Sequence, residues 1–103
     1  MTQAAPDSIT VVENTDEQRF EAHLDGELVG VVEYIPLPGK IVATHTEVSP
    51  RHEGAGIGSS LVTGVMEQLR RDRRRLQPQC PYVRSWLQRH EEYSDIVDPT
   101  TPR

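Results

Sequence analysis

The stretch VSPRHEGAGIGSSLV, from Val48 to Val62, decides how the chain is read. It places three glycines, Gly54, Gly56 and Gly58, between an apolar residue and an apolar, helix-like run. A strand, a glycine-rich loop and a helix in this order form an anion site, because the first N–H groups of a helix lack partners and its dipole is positive there. The alternative is a plain turn into the helix, in which the glycines only allow the chain to turn and bind no ligand.

Upstream of this stretch, the sequence predicts an antiparallel meander. The predicted strands are Ile9–Glu13, Arg19–Leu24, Glu27–Ile35 and Lys40–Val48. Between the second and third lies Asp25-Gly26, a strong two-residue hairpin signal, because both turn positions need a positive φ. Alternation along the fourth strand predicts two faces. One carries Ile41, Ala43, His45 and Glu47, and the other carries Thr44, Thr46 and Val48.

Downstream, the apolar period changes to that of a helix. One apolar stripe runs from Gly56 to about Arg74 at helical spacing. A short strand follows over residues 75–79, at a sheet edge because of its proline. A second helix runs to about His90, with Pro81 at its first position. Together these elements predict a mixed α/β domain over residues 9–97, with flexible ends at 1–8 and 98–103.

Charge and composition restrict the partners. Residues 1–50 carry nine acids and two bases, and residues 51–103 carry nine bases and seven acids, for a net charge of -5. Nucleic acid is therefore an unlikely partner for the whole chain, and an anionic ligand should favour the second half. The single cysteine, Cys80, excludes an internal disulfide and fits the cytoplasm. No apolar run is long enough to span a membrane, and we expect a monomer.

The hexamer RHEGAG, from Arg51 to Gly56, resembles the [RQ]-x-x-G-x-[GA] loop of the GNAT superfamily of N-acetyltransferases. The resemblance extends to HTEV before the loop and to Cys-Pro-Tyr-Val at residues 80–83, which together look like a family of very small GNAT-like proteins. It covers about residues 10–97. The paired helices that usually follow the first GNAT strand are missing here. The acceptor pocket must therefore be open or completed by a partner.

The resemblance implies acetyl-CoA as cosubstrate and an amine, on a small molecule or a protein lysine, as acceptor. Loop N–H groups would bind the pyrophosphate, and the fourth strand would align the pantetheine. The implied cofactor-binding residues are Thr46, Glu47, Val48, Arg51, Gly54, Ala55, Gly56, Ile57, Gly58 and Ser59. Two residues in the loop, His52 and Glu53, depart from the commoner family pattern. We expect Glu53 to face outward, while His52 could touch phosphate.

Two side chains are candidates for chemistry. Cys80 precedes Pro81 at a predicted helix start, where the dipole favours a thiolate. The resemblance puts it near the acetyl end of CoA, as a nucleophile or acetyl relay; the alternative is a small buried residue. His45 could deprotonate the incoming ammonium, as could Glu47, or it could be structural. Tyr82 is more simply core, although it lies close enough to Cys80 to line the site.

Other functions stay open at this level. The chain could bind acetyl-CoA or CoA as a sensor or adaptor with little turnover. The arginines of residues 70–75 could bind RNA or a protein, but they lack interleaved aromatic residues and more simply form a solvated helix end. No spacing of His and Cys suggests a metal site. The acidic first half favours a cationic acceptor, such as a lysine side chain or a polyamine.

Overall fold

The computed structural model describes residues 9–99, which form one five-stranded sheet with its strands in chain order. The strands are β1 (Ile9–Asn14), β2 (Arg19–Leu24), β3 (Glu27–Leu37), β4 (Lys40–Val48) and β5 (Arg75–Pro78). The helices are α1 (Ile57–Asp72) and α2 (Pro81–Gln88), with 3-10 turns at Pro50–His52 and Glu91–Tyr93. Strands β1 to β4 are antiparallel, and β5 runs parallel to β4. The predicted mixed α/β architecture is confirmed.

Element ends differ from the predictions by one or two residues. Strand β3 continues through Pro36, which pairs with Ile41, instead of ending before it. Helix α2 ends at Gln88 instead of near His90, because the His90 N–H bonds the carbonyl three residues back and its ring stacks on Trp86 with 3.7 Å between centroids. Asp98, where the predicted tail begins, is buried and pairs with Lys40 at 2.6 Å. Residues 1–8 and 100–103 of the predicted ends lie outside the described part of the chain.

The core lies between one face of the sheet and the two helices. Its largest fully buried side chains include Phe20 from β2, Ile41 from β4, Leu61 and Met66 from α1, and Trp86 from α2. The apolar stripe of α1 is the one that the sequence predicts, and all of its members are buried. Burying such side chains stabilises a fold by about 1.5–3 kcal/mol each. The core therefore fixes α1, and with it the loop that precedes α1.

A β-bulge in β4 corrects the predicted faces of this strand. Glu33 of β3 pairs with His45, but the next residue of β3, Tyr34, pairs with Ala43, so Thr44 is the extra residue. A bulge of this kind reverses the alternation beyond it. Ala43 and Thr46 consequently share the core face. His45 and Glu47 do not lie with Ile41 and Ala43, as the alternation predicted, but on the opposite, outer face.

The outer face of the sheet carries a polar cluster around Glu21. This carboxylate accepts hydrogen bonds from Asn14 and Arg19 and lies 3.0 Å from Nε2 of His23. The hydrogen bond with His23, together with those from Arg19 and Asn14, lowers the pKa of Glu21 to about 2. No described helix or strand packs over this face, because α1 and α2 both pack on the core face of the sheet. The face is therefore open beside β4.

Candidate active site

A cleft of about 460 Å³ lies at the end of β4, between the glycine loop and α2. It is lined by Thr46, Val48, His52, Glu53, Gly54, Gly56, Ile57, Gly58, Ser59 and Tyr82. Its volume lies in the range of small-molecule sites, although it would hold only part of a ligand as long as acetyl-CoA. The cleft brings together seven of the ten residues that the sequence predicts for cofactor binding. The loop and the end of β4 therefore form one site.

The loop presents unpaired backbone donors to this cleft. Gly54 and Gly56 have left-handed φ values of +86° and +81°, and Gly56 is the N-cap of α1 without a side-chain cap. The N–H groups of Ile57, Gly58 and Ser59 donate to no protein acceptor within residues 9–99. The first N–H groups of a helix point away from its body and carry partial positive charge. The arrangement is therefore suited to an anion with several oxygens.

Helix α2 walls the cleft opposite the loop. The Tyr82 hydroxyl lies so close to Gly58 that a Cβ there would be 2.3 Å from it. One turn further on, Nε1 of Trp86 donates to Oγ of Ser59 at 3.0 Å, which joins α2 to the first turn of α1. Tyr82 is 41% exposed, so the core is not its main location. The cue for this role in the sequence is its place beside Cys80.

At the base of the site, Cys80 lies where β4 and β5 separate. The N–H groups of Gln79 and Cys80 both donate to the Ala43 carbonyl at 2.9 Å. Cys80 is the N-cap of α2, as predicted, and is only 3% exposed. Its Sγ lies 3.2 Å from Oγ1 of Thr46, and Thr46, unlike Cys80, lines the cleft. The thiol is thus one side chain behind the cleft surface.

His45 and Glu47 lie near the cleft but do not line it. Both side chains are exposed on the outer face of the sheet, by 56% and 73%, and His45 Nε2 lies 3.8 Å from a Glu47 oxygen. Glu33 on β3 is the cross-strand partner of His45, so two acidic residues neighbour His45 on this face.

Three predicted loop contacts differ in the structure. Arg51 extends to Glu27, with 3.3 Å between Nη1 and the carboxylate, and does not line the cleft. Ala55 does not line it either, because its N–H turns back to the His52 carbonyl. Glu53, expected to face outward, does line the cleft. So does His52, whose Nδ1 is buried without a hydrogen-bond partner among the described residues.

The arginines of residues 70–75 are largely occupied by protein contacts. Arg70 bonds Asp95 at 2.8 Å, and its guanidinium lies over the Tyr93 ring. Arg74 forms two hydrogen bonds with Glu13, and this pairing lowers the Glu13 pKa. Over residues 9–99, no group of three or more His, Cys, Asp or Glu is arranged to hold a metal ion. Neither described helix is long and apolar enough to cross a membrane.

The match to a family model decides the family. Residues 19–96 match the model of the GCN5-related N-acetyl-transferase family, and this range includes the glycine loop and both helices. The chain belongs to this family. Among curated proteins, no sequence matches it significantly. The resemblance seen in the glycine loop is therefore confirmed at the level of the family.

Solved structures agree with this GCN5-related fold. A GCN5-like protein from Staphylococcus aureus aligns with a TM-score of 0.66 at 20% identity, over 88% of this chain and 89% of that one. A ribosomal-protein-alanine N-acetyltransferase from Brucella melitensis gives 0.50 at 24% identity, over 82% of this chain. An aminoglycoside acetyltransferase from a soil metagenome, in complex with sisomicin, aligns with a TM-score of 0.51 at 16% identity, over 82% of this chain. The GCN5-related chain spans only 64% and 59% of the latter two.

The residues of the cleft suit a ligand that carries phosphate groups. A pyrophosphate requires several hydrogen-bond donors, and the start of α1 offers unpaired N–H groups; the unpartnered Nδ1 of His52 adds a donor in the tautomer that carries its proton there. Added Cβ atoms at Gly54 and Gly56 would meet nothing within 4 Å, so the loop surface there is open to a ligand. The negative charge of Glu53, which lines the cleft, disfavours the binding of an anion.

Proposed function

We propose that this protein transfers an acetyl group from acetyl-CoA to an amine. The observation that carries the proposal is the row of unpaired N–H groups at the start of α1, facing a cleft in a chain of the GCN5-related family. Backbone donors of a loop and a helix start are the groups that bind phosphate oxygens in many nucleotide sites. The pyrophosphate would lie at residues 54–59, and the pantetheine would follow Thr46 to Val48 toward Cys80.

Cys80 is the proposed acetyl relay. Its sulfur would attack the thioester carbonyl, forming a carbon–sulfur bond as the bond to the CoA sulfur breaks and the thiol proton passes to that sulfur. The amine would then attack the acetyl carbon, release the Cys80 sulfur and return a proton to it. The sequence of two transfers requires the thiol to become accessible from the cleft. A direct transfer to the amine would leave Cys80 a structural role.

The proposed acceptor is cationic and enters from the outer face of the sheet. Glu33 and Glu47 neighbour His45 there, and Arg19, the cross-strand partner of Glu33, donates its hydrogen bond to Glu21. Such carboxylates attract an ammonium and keep it near the site. His45, directly or through water, would take the proton that must leave the ammonium before nitrogen can attack.

An assay of CoA release with a panel of amines tests this proposal. Polyamines and lysine peptides should be acetylated, and neutral amines of similar size should react more slowly. Glu47→Gln should raise the KM for cationic amines several-fold. Glu91→Gln, a matched change of an exposed carboxylate in a 3-10 turn away from the site, should not. Equal rates for cationic and neutral amines would contradict the proposed acceptor class.

A sensor or adaptor that binds acetyl-CoA with little turnover is the second candidate. The observation that favours it is the burial of Cys80, together with a sheet face that no described element covers to form an acceptor pocket. Saturable acetyl-CoA binding without acetylation of any amine in the panel would support this function over a transferase. Release of CoA that scales with amine concentration would exclude it.

A further inference from the structure

The hydroxyl of Thr46 and the thiol of Cys80 form a pair that the fold assembles from distant parts of the chain. Their residues are 34 apart, and Oγ1 lies 3.2 Å from Sγ. Hydrogen bonds to sulfur are longer than those between oxygen atoms. A separation of 3.2 Å therefore places the hydroxyl and the thiol in direct contact. Thr46 reaches the thiol only because the β4 bulge turns its side chain to the core face. The contact therefore depends on a specific irregularity of the strand.

The surroundings leave Thr46 as the one described side-chain partner of the thiol. Cys80 makes no side-chain cap contact with its own helix, and it is 3% exposed. Its backbone N–H is already used by the Ala43 carbonyl. A thiolate formed here would need a donor, because a buried charge without a hydrogen bond is strongly unfavourable. In the neutral pair either group can donate, but once the thiol proton has left, only the Thr46 hydroxyl can donate across this contact.

We infer that Thr46 is a positioning residue, whose hydroxyl orients the Cys80 sulfur and donates to it when the thiol proton leaves. This role is separate from the backbone contact to pantetheine that the family resemblance implies. It rests on the proposed function only in its catalytic consequence. The effect on the thiol itself can be measured without acetyl-CoA.

The size of the effect follows from the strength of such a bond. A hydrogen bond to a charged group is strong enough to raise the fraction of Cys80 present as thiolate by roughly ten- to hundred-fold. Without the hydrogen bond, each thiolate that forms is a better nucleophile. This higher reactivity offsets about half of the loss in thiolate fraction on a logarithmic scale. Removing the hydroxyl should therefore slow reactions of the Cys80 sulfur by about three- to ten-fold at neutral pH.

The test is the rate of alkylation by iodoacetamide, followed by intact mass in the ligand-free protein. Cys80 is the only cysteine of the chain, so the modification reports on one site. Thr46→Val, which keeps the shape and removes the hydroxyl, should slow alkylation about three- to ten-fold. Thr46→Ser, which restores the hydroxyl, should return the rate to within about two-fold of wild type. If Thr46→Val fails to fold, Thr46→Ala removes the same hydroxyl.

Two comparisons separate this inference from the proposed function. An unchanged or faster alkylation rate in both Thr46→Val and Thr46→Ala would overturn the role of Thr46, whatever acetyl-CoA does. If the proposed function holds, Thr46→Val should lower kcat about as much as it lowers alkylation while the KM for acetyl-CoA stays within about two-fold. A loss confined to KM would also overturn the positioning role. Failure of the wild type to bind acetyl-CoA would refute the proposed function, and the alkylation series would still decide the inference.

Discussion

Replacement of Gly58 by alanine tests how closely α2 walls the proposed site. Gly58 lies in the first turn of α1, and its φ is not left-handed, so the backbone accepts alanine. The new Cβ would lie 2.3 Å from the Tyr82 hydroxyl and 2.9 Å from its ring carbon Cζ. Both distances are too short for real contacts, so the ring must move. Tyr82 is 41% exposed, which gives it room to do so.

The expected loss of affinity follows from the area that the ring covers. A tyrosine buries roughly 200 Å² when fully packed, and about a quarter of this, ~50 Å², would face a ligand in the cleft. At about 25 cal/mol per Å², the loss is ~1.2 kcal/mol, or about an eight-fold rise in the Kd for acetyl-CoA. The free energy of unfolding should change by less than about 1 kcal/mol, because alanine favours a helix over glycine and offsets the displaced ring.

A double-mutant cycle with Tyr82→Ala measures whether the ring carries the effect. Calorimetric Kd values for acetyl-CoA should show that Gly58→Ala weakens binding about eight-fold in wild type but has little further effect when Tyr82 is already alanine. Urea unfolding of each variant controls for stability. Equal effects of Gly58→Ala in both backgrounds would refute the reasoning, since the loss would then come from the helix start instead of the Tyr82 ring.

Three further changes give expected outcomes. Gly56→Asp should abolish measurable CoA binding in calorimetry, because it adds negative charge at the N-cap of α1; Gly26→Asp, at a similar φ of +83° in a hairpin, carries the same backbone strain and should bind normally. Glu21→Gln should flatten the acid limb of stability: its pKa is lowered from 4.5 to about 2 in the fold, so the stability that it contributes is present above pH 4.5 and lost as pH falls toward 2. Urea unfolding at several pH values measures this, and an unchanged acid limb would count against the cluster. Gly64→Ala should lower the free energy of unfolding by about 1–3 kcal/mol, because its Cβ would lie 2.6 Å from Val11, which is partly buried against the core, and Val11→Ala should recover part of the loss.

The sequence predicted most of the fold because its local signals agree with one another. The Asp25-Gly26 turn, the β-branched runs and the helical stripe before Arg70 each have one simple reading, and the structure follows them. The glycine loop was equally informative, because few backbone arrangements need so many glycines before a helix. These features depend on neighbours within a few residues, which a sequence displays directly.

The site was less predictable where it depends on contacts between distant residues. The alternation of residues along β4 does not show the bulge at Thr44, which places His45 on the face opposite Ile41 and Ala43. Arg51 forms an ion pair with Glu27 of β3, and the spacing of residues in the loop does not predict this contact. The contact of Thr46 with Cys80 combines both effects, because it needs the bulge and the packing of α2 together.

Calorimetric titration of the wild-type protein with acetyl-CoA and with 3′-dephospho-CoA tests the central claim most directly. The two ligands share the pyrophosphate and the pantetheine and differ at the 3′-phosphate and the acetyl group. If the N–H groups at the start of α1 bind the pyrophosphate, both ligands should bind saturably to a single site with similar affinity at physiological salt. Absence of binding by either ligand at millimolar concentration would contradict the account, and the glycines from Gly54 to Gly58 would then serve only as a turn into the helix.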